Sequence, residues 1–149
     1  MTIQKQGAPN RARAAAAQGA ATRVTTKQLG DAAEHAAQNH LQQKGMRLLQ
    51  RNFRTPGRGG GEIDLIMRDA DGTLVFVEVR QRSGATHGGA GGSIGVAKQR
   101  RIVFAARHYL ARLPVTPPCR FDVVLVHGRA GEHPEVEWLR GAFDASGWA

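Results

Sequence analysis

Asp64, in the run EIDLIMR, and Glu78, in FVEVRQR, are carboxylates in two segments that both alternate with the period of a strand. The short turn DADG separates the segments, so they fold back on each other as an antiparallel hairpin. Opposed residues of a hairpin share a face, and their numbers add to a constant. A two-residue loop of Asp71 and Gly72 makes that constant odd and sends Asp64 to the wrong side. A three-residue loop, Ala70-Asp71-Gly72, makes it even and sets Asp64 opposite Glu78. Glycine in third place is what a type I turn followed by a left-handed bulge residue requires, so the sequence predicts a facing carboxylate pair.

Two carboxylates so placed repel unless something positive sits between them. One answer is a divalent cation, and oxygen ligands of this kind suit Mg²⁺ or Mn²⁺. The other is ion pairing with Arg80 or Arg82, which share a strand face with Glu78 and Phe76. Both answers are open on these residues alone. Val75, Val77 and Val79 point the other way, so this strand reads as half-buried, with one core face and one charged face.

The elements that must hold the pair follow from caps and periodicity. Thr25-Thr26-Lys27-Gln28 fits a capping box that opens a helix through LGDAAEHAAQNHLQQK, ending near Gly45. Its packing face is thin (Leu29, Ala33, Ala36 or Ala37, Leu41), which suits close packing on a sheet. Residues 46–54 read as a first strand near an edge, and 55–61 as a mobile glycine loop. Residues 62–68 form a second strand, with Ile63, Leu65 and Met67 on one face and Glu62, Asp64 and Ile66 on the other. The third strand is TLVFVEVR. After a second glycine loop, Ser93 is the expected N-cap of a helix over 94–113, with Lys98, Arg101 and Arg112 on its polar side. RFDVVLVH and VEWLRGAF complete an αβββαββ order, an α/β (α+β) sandwich.

The chain of 149 residues suffices for one compact domain over 26–149, with residues 1–25 read as a disordered basic, Ala-rich tail. No apolar run is long enough for a membrane helix. The single Cys119 excludes an internal disulfide framework and a cysteine zinc cluster, which suits a cytoplasmic setting and no membrane partner. The net charge is +9, and residues 44–107 alone carry twelve basic against five acidic residues. A basic middle enclosing a small acidic cluster is the footprint of a polyanion held near a cation, or of a solubilising surface. The six histidines form no H-E-x-x-H pattern, and neither a Walker loop nor a Ser/His/Asp elbow is present.

The runs LGDAAEHAA, GEIDLI, FVEVRQRS, AKQRRI and CRFDVVLV, over residues 27–145, resemble the uncharacterised bacterial YraN family. That family is similar to PD-(D/E)xK nucleases of the Holliday-junction-resolvase type. The resemblance implies a restriction-endonuclease-like αβββαβ core with a central mixed sheet flanked by helices. It implies an Mg²⁺-dependent (or Mn²⁺-dependent) endonuclease acting on duplex or branched DNA, and a homodimer by analogy. Asp64 and Glu78 match its metal-holding and catalytic carboxylates, and Glu34 matches a helix carboxylate that some relatives add. Glu62 would be an outer ligand or a simple strand-start charge.

The chain departs from that pattern at Arg80, which stands where the nucleases place lysine. Arginine stays protonated and cannot be a general base. It can hold a phosphate bidentately or stabilise transition-state charge, so activity would be weakened rather than lost. Lys98 is a candidate substitute if it reaches the site, and a solvated basic helix face otherwise. Arg82, Arg51, Arg54, Arg58, Lys98 and Arg101 are the candidate nucleic-acid contacts. Few exposed aromatics are expected beside them, which argues for backbone and shape readout rather than base stacking. The rival readings are a catalytically inactive nucleic-acid-binding protein of the same fold and a scaffold with structural ion pairs only.

Overall fold

The computed structural model describes residues 25–82, 94–128 and 133–146. Residues 1–24 of the expected tail, Ser93 and all of the second glycine loop lie outside them. Helix α1 (Thr26–Gln43) is followed by strands β1 (Arg47–Arg54), β2 (Glu62–Arg68) and β3 (Leu74–Arg82). Helix α2 (Val96–Leu110) then leads to β4 (Cys119–His127) and β5 (Glu135–Phe143). The five strands form one mixed sheet in sequential order, antiparallel except for the parallel β3–β4 pair. That parallel pair needs a crossover, and α2 is the helix within it. The α+β sandwich read from the sequence is the architecture found.

The capping box forms as predicted: Thr25 Oγ1 accepts from the Gln28 amide at 3.1 Å, and Gln28 Oε1 accepts from the Thr25 amide at 2.9 Å. Ala33, Ala37 and Leu41 are the buried face of α1, and they pack with Leu65, Met67, Val75, Val77 and Val124. On the other side of the sheet, Ile102, Val103, Ala105 and Ala106 of α2 pack on Ile66, Phe76, Phe121 and Leu125. The sheet is therefore covered on both faces.

This corrects the half-buried reading of β3. Val75, Phe76 and Val77 are all fully buried, and the charged row begins only at Glu78. The unbroken apolar run in LVFV was the available signal, since strands covered on both faces lose polar alternation. Strict alternation on β2 also fails: Ile63 belongs to the α2-side core and Leu65 to the α1-side core, although they stand two apart. On the neighbouring strand Asn52 has a φ of 50°, a left-handed conformation that asparagine tolerates. The irregularity thus brackets Asp64.

Two further expectations change. Helix α2 starts at Val96 after Gly95, which supplies no side-chain cap, and not at Ser93. The glycine loop of 55–61 has a clamped stem: the Thr55 amide donates to the Gly61 carbonyl at 3.0 Å, and the Gly61 amide donates to Thr55 Oγ1 at 2.6 Å.

Gly30 stands inside α1 with open space around the position a Cβ would take. Gly30→Ala therefore removes only backbone freedom of the unfolded chain and should stabilise by about 0.5–1 kcal/mol. A chemical denaturation midpoint that falls instead of rising would contradict this.

Candidate carboxylate site

The β2–β3 hairpin has the three-residue loop that the carboxylate pairing needs. Leu65 pairs with Val77, Ile66 with Phe76 and Met67 with Val75. The Asp69 amide donates to the Thr73 carbonyl at 2.9 Å, and Gly72 takes a φ of 90°. The paired ladder ends at Leu65 and Val77; Asp64 and Glu78 are the next residues along the two strands, and their carboxyls lie close enough to shift each other's ionisation. Asp64 Oδ2 accepts from the Val79 amide at 2.8 Å, which orients the carboxylate towards β3.

Glu78 is buried, and its carboxyl lies against that of Asp64, a contact that favours a proton on Glu78. Burial, reinforced by the Asp64 charge and opposed by Lys98, pushes its carboxyl up to about 8. Asp64 is raised too, chiefly by burial, against the lowering effect of the Val79 amide. At both carboxyls burial thus outweighs the lowering effect of the Lys98 charge.

Lys98 reaches into the site from α2. Its Nζ lies 3.4 Å from Glu78 Oε1, so the solvated-face reading of this lysine is corrected. The helix that carries it is brought close by Gly61: a Cβ there would fall 1.9 Å from the Arg101 carbonyl oxygen. Gly61 and Thr55 were missed as positioning residues, because a close approach between a loop and a helix leaves no periodic trace. The glycine run itself was the visible hint.

Glu34, the expected third carboxylate, faces Arg51. Among the described residues no three His, Cys, Asp or Glu side chains gather closely enough to hold a metal as a set. Glu34 Oε2 lies 3.7 Å from Arg51 Nη2. Burial raises the Glu34 pKa, with the Asp64 charge second, so the two still sense each other.

The proposed phosphate-binding arginines divide. Arg51 pairs with Glu34, and Arg54 with Glu62 at 3.3 Å. Arg58 and Arg101 are exposed, while Arg80 and Arg82 are half-buried on the face of Glu78, aligned with Leu125 and His127 of β4. Asp122 has a structural role. It is fully buried and accepts from Arg120 Nε at 3.1 Å, Trp138 Nε1 at 2.9 Å and the Gly141 amide at 2.9 Å. Exposed aromatics are few among the described residues, as expected, but one of them, Phe104, stands 44% exposed on α2 among arginines. Among the described residues no helix is long and apolar enough to cross a membrane.

Known proteins resemble this chain along most of its length. A UPF0102 protein of Polaromonas naphthalenivorans (strain CJ2) is 61% identical over 153 residues, covering 98% of this chain and 100% of the relative. A UPF0102 protein of Albidiferax ferrireducens is 68% identical over 121 residues, covering 81% of this chain and 91% of the relative. Another, of Polaromonas sp. (strain JS666 / ATCC BAA-500), is 67% identical over 127 residues, covering 83% and 85%. The model of the uncharacterised protein family UPF0102 matches residues 33–126, the span that holds Glu34, Asp64, Glu78 and Lys98, and the chain belongs to that family.

Proposed function

We propose that this protein hydrolyses phosphodiester bonds in duplex or branched DNA with the help of a divalent cation. The observation that carries the reading is the closeness of the Asp64 and Glu78 carboxyls at the open end of the hairpin, buried and near enough to shift each other's ionisation. Two carboxylates are a sufficient protein donor set for Mg²⁺ or Mn²⁺, which commonly take one or two carboxylates and complete their shell with water and substrate phosphate. When bound there, such an ion would supply Lewis acidity to the scissile phosphate and favour ionisation of the attacking water.

The chain's own groups do the rest. Asp64, held by the Val79 amide, and Glu78 present fixed oxygens in one place. Lys98 directs an ammonium group at that place and so supplies from α2 the cation that the nuclease pattern puts two residues after the glutamate. Arg80 and Arg82 continue the same strand face as phosphate-facing charges, for which the forked guanidinium is well suited. The basic balance of residues 44–107 favours a polyanionic substrate.

Labelled linear and branched DNA incubated with the protein in Mg²⁺, Mn²⁺ or EDTA tests this. Cleavage is expected only with a divalent ion. Asp64→Asn should abolish it, and Lys98→Met should slow it by about 10²-fold, the usual cost of one preorganised charge donor. Cleavage that survives Asp64→Asn overturns the reading. Tight, metal-independent DNA binding with no cleavage in either ion would favour an inactive binding protein instead.

A further inference from the structure

The face of α2 turned away from the core carries charge of one sign and an exposed ring. Val96–Leu110 contains Lys98, Arg100, Arg101, Arg107 and His108 and no acidic residue. Arg100, Phe104 and Arg107 follow the i, i+4, i+7 spacing of a single stripe, and all three are exposed. The Phe104 ring lies 4.5 Å from the His108 ring, centroid to centroid. His108 Nδ1–H donates to the Phe104 carbonyl at 3.1 Å, which fixes the imidazole against the helix. Arg101 is the i+3 neighbour of Lys98 and lies on the helix surface between the stripe and the side from which Lys98 reaches Glu78.

The geometry points to this face as a docking track for single-stranded nucleic acid, with one unpaired base stacked on Phe104. The inference rests on the hydrolytic reading above and narrows its substrate to nucleic acid with an unpaired segment next to the cut. Positive charge on every polar flank attracts a polyanion and opposes a second copy of the same face. A duplex presents phosphates and sugars to a convex helix and leaves Phe104 without a partner. A splayed base offers a π-face, and aromatic stacking combined with arginines along the backbone is the usual way single strands are held.

Fluorescence anisotropy in EDTA, where no cutting can interfere, tests the track with three probes: a blunt duplex, the same duplex with a single-stranded flap, and a flap of abasic residues. Phe104→Ala should weaken binding of the flapped duplex roughly tenfold and leave the blunt and abasic probes unchanged. Phe104→Trp should restore it. Flaps of DNA and RNA distinguish the two sources of an unpaired strand, and Phe104-dependent binding of either supports the track. Equal effects on all probes, no effect on any, or a Phe104-dependent dimer in sedimentation would overturn it. A protein that cuts DNA without Phe104 dependence loses only this inference. One that shows the dependence without cutting loses only the hydrolytic reading.

Discussion

Exchanging Glu78 for glutamine should make the cation-free protein more stable than the parent at about pH 8 and remove its magnesium-dependent cleavage. The stability half follows from linkage. Glu78 has a folded-state pKa of about 8 against 4.5 for the free side chain, for reasons of burial first and Asp64 second. Between those values the unfolded chain has released its proton and the folded chain retains it, so raising the pH favours unfolding. The slope approaches about 1.4 kcal/mol per pH unit. Stability is therefore full below about pH 4.5 and lost as pH rises towards 8. Glutamine keeps the shape and cannot ionise, so the slope should flatten.

The cleavage half follows from the donor set. With glutamine at 78 the anionic donor set falls to Asp64 alone, and the weakened hold on the cation should cost several kcal/mol, or about 10³-fold in rate. Added Mg²⁺ should raise the melting temperature of the parent at alkaline pH by mass action and leave Glu78→Gln unmoved. Thermal melts from pH 5 to 9 with and without Mg²⁺, beside a cleavage assay, read both halves. A parent whose metal-free stability is flat over that range would defeat the electrostatic account. A glutamine variant that still cuts would defeat the ligand assignment.

The sequence makes the Asp64–Glu78 pair legible because a hairpin is local: loop length and side-chain period together set the register. The capping box at Thr25 is legible for the same reason, as both partners lie within one turn. Lys98 is different. Its distance from Glu78 depends on how far α2 stands from the sheet, and no pattern in either segment encodes that separation. The same holds for Glu34, whose helix register matches a ligand but whose carboxylate pairs with Arg51. The left-handed Asn52 and the turned Ile63 break the period on which the reading relied. Phe104 hides by type: a phenylalanine within a helix is ordinarily core, and only the packed structure leaves it in water.

Gly61→Ala should be among the most damaging small changes in the molecule, although it adds a single methyl group. The added carbon would lie 1.9 Å from the Arg101 carbonyl oxygen, 2.9 Å from Ala105 Cβ and 3.0 Å from the Ala105 amide nitrogen. Two of these atoms are helix backbone, so no rotamer change relieves the overlap and α2 itself must move outward. Overpacking of this kind costs about 3 kcal/mol at the upper end of its usual range, roughly 6–12 °C in melting temperature for a chain of this size. The displacement also draws Lys98 away from Glu78. A misplacement of about 1 Å at a reacting centre can cost about 10²-fold in rate, so residual folded protein should cleave poorly even with metal in excess. Adding Ala105→Gly removes the second clash and leaves the first, so the double variant should recover little. Melting within about 2 °C of the parent, a shift worth no more than about 1 kcal/mol, would show that Gly61 does not set the spacing of helix and sheet. The glycine would then owe its place to the Thr55 clamp alone.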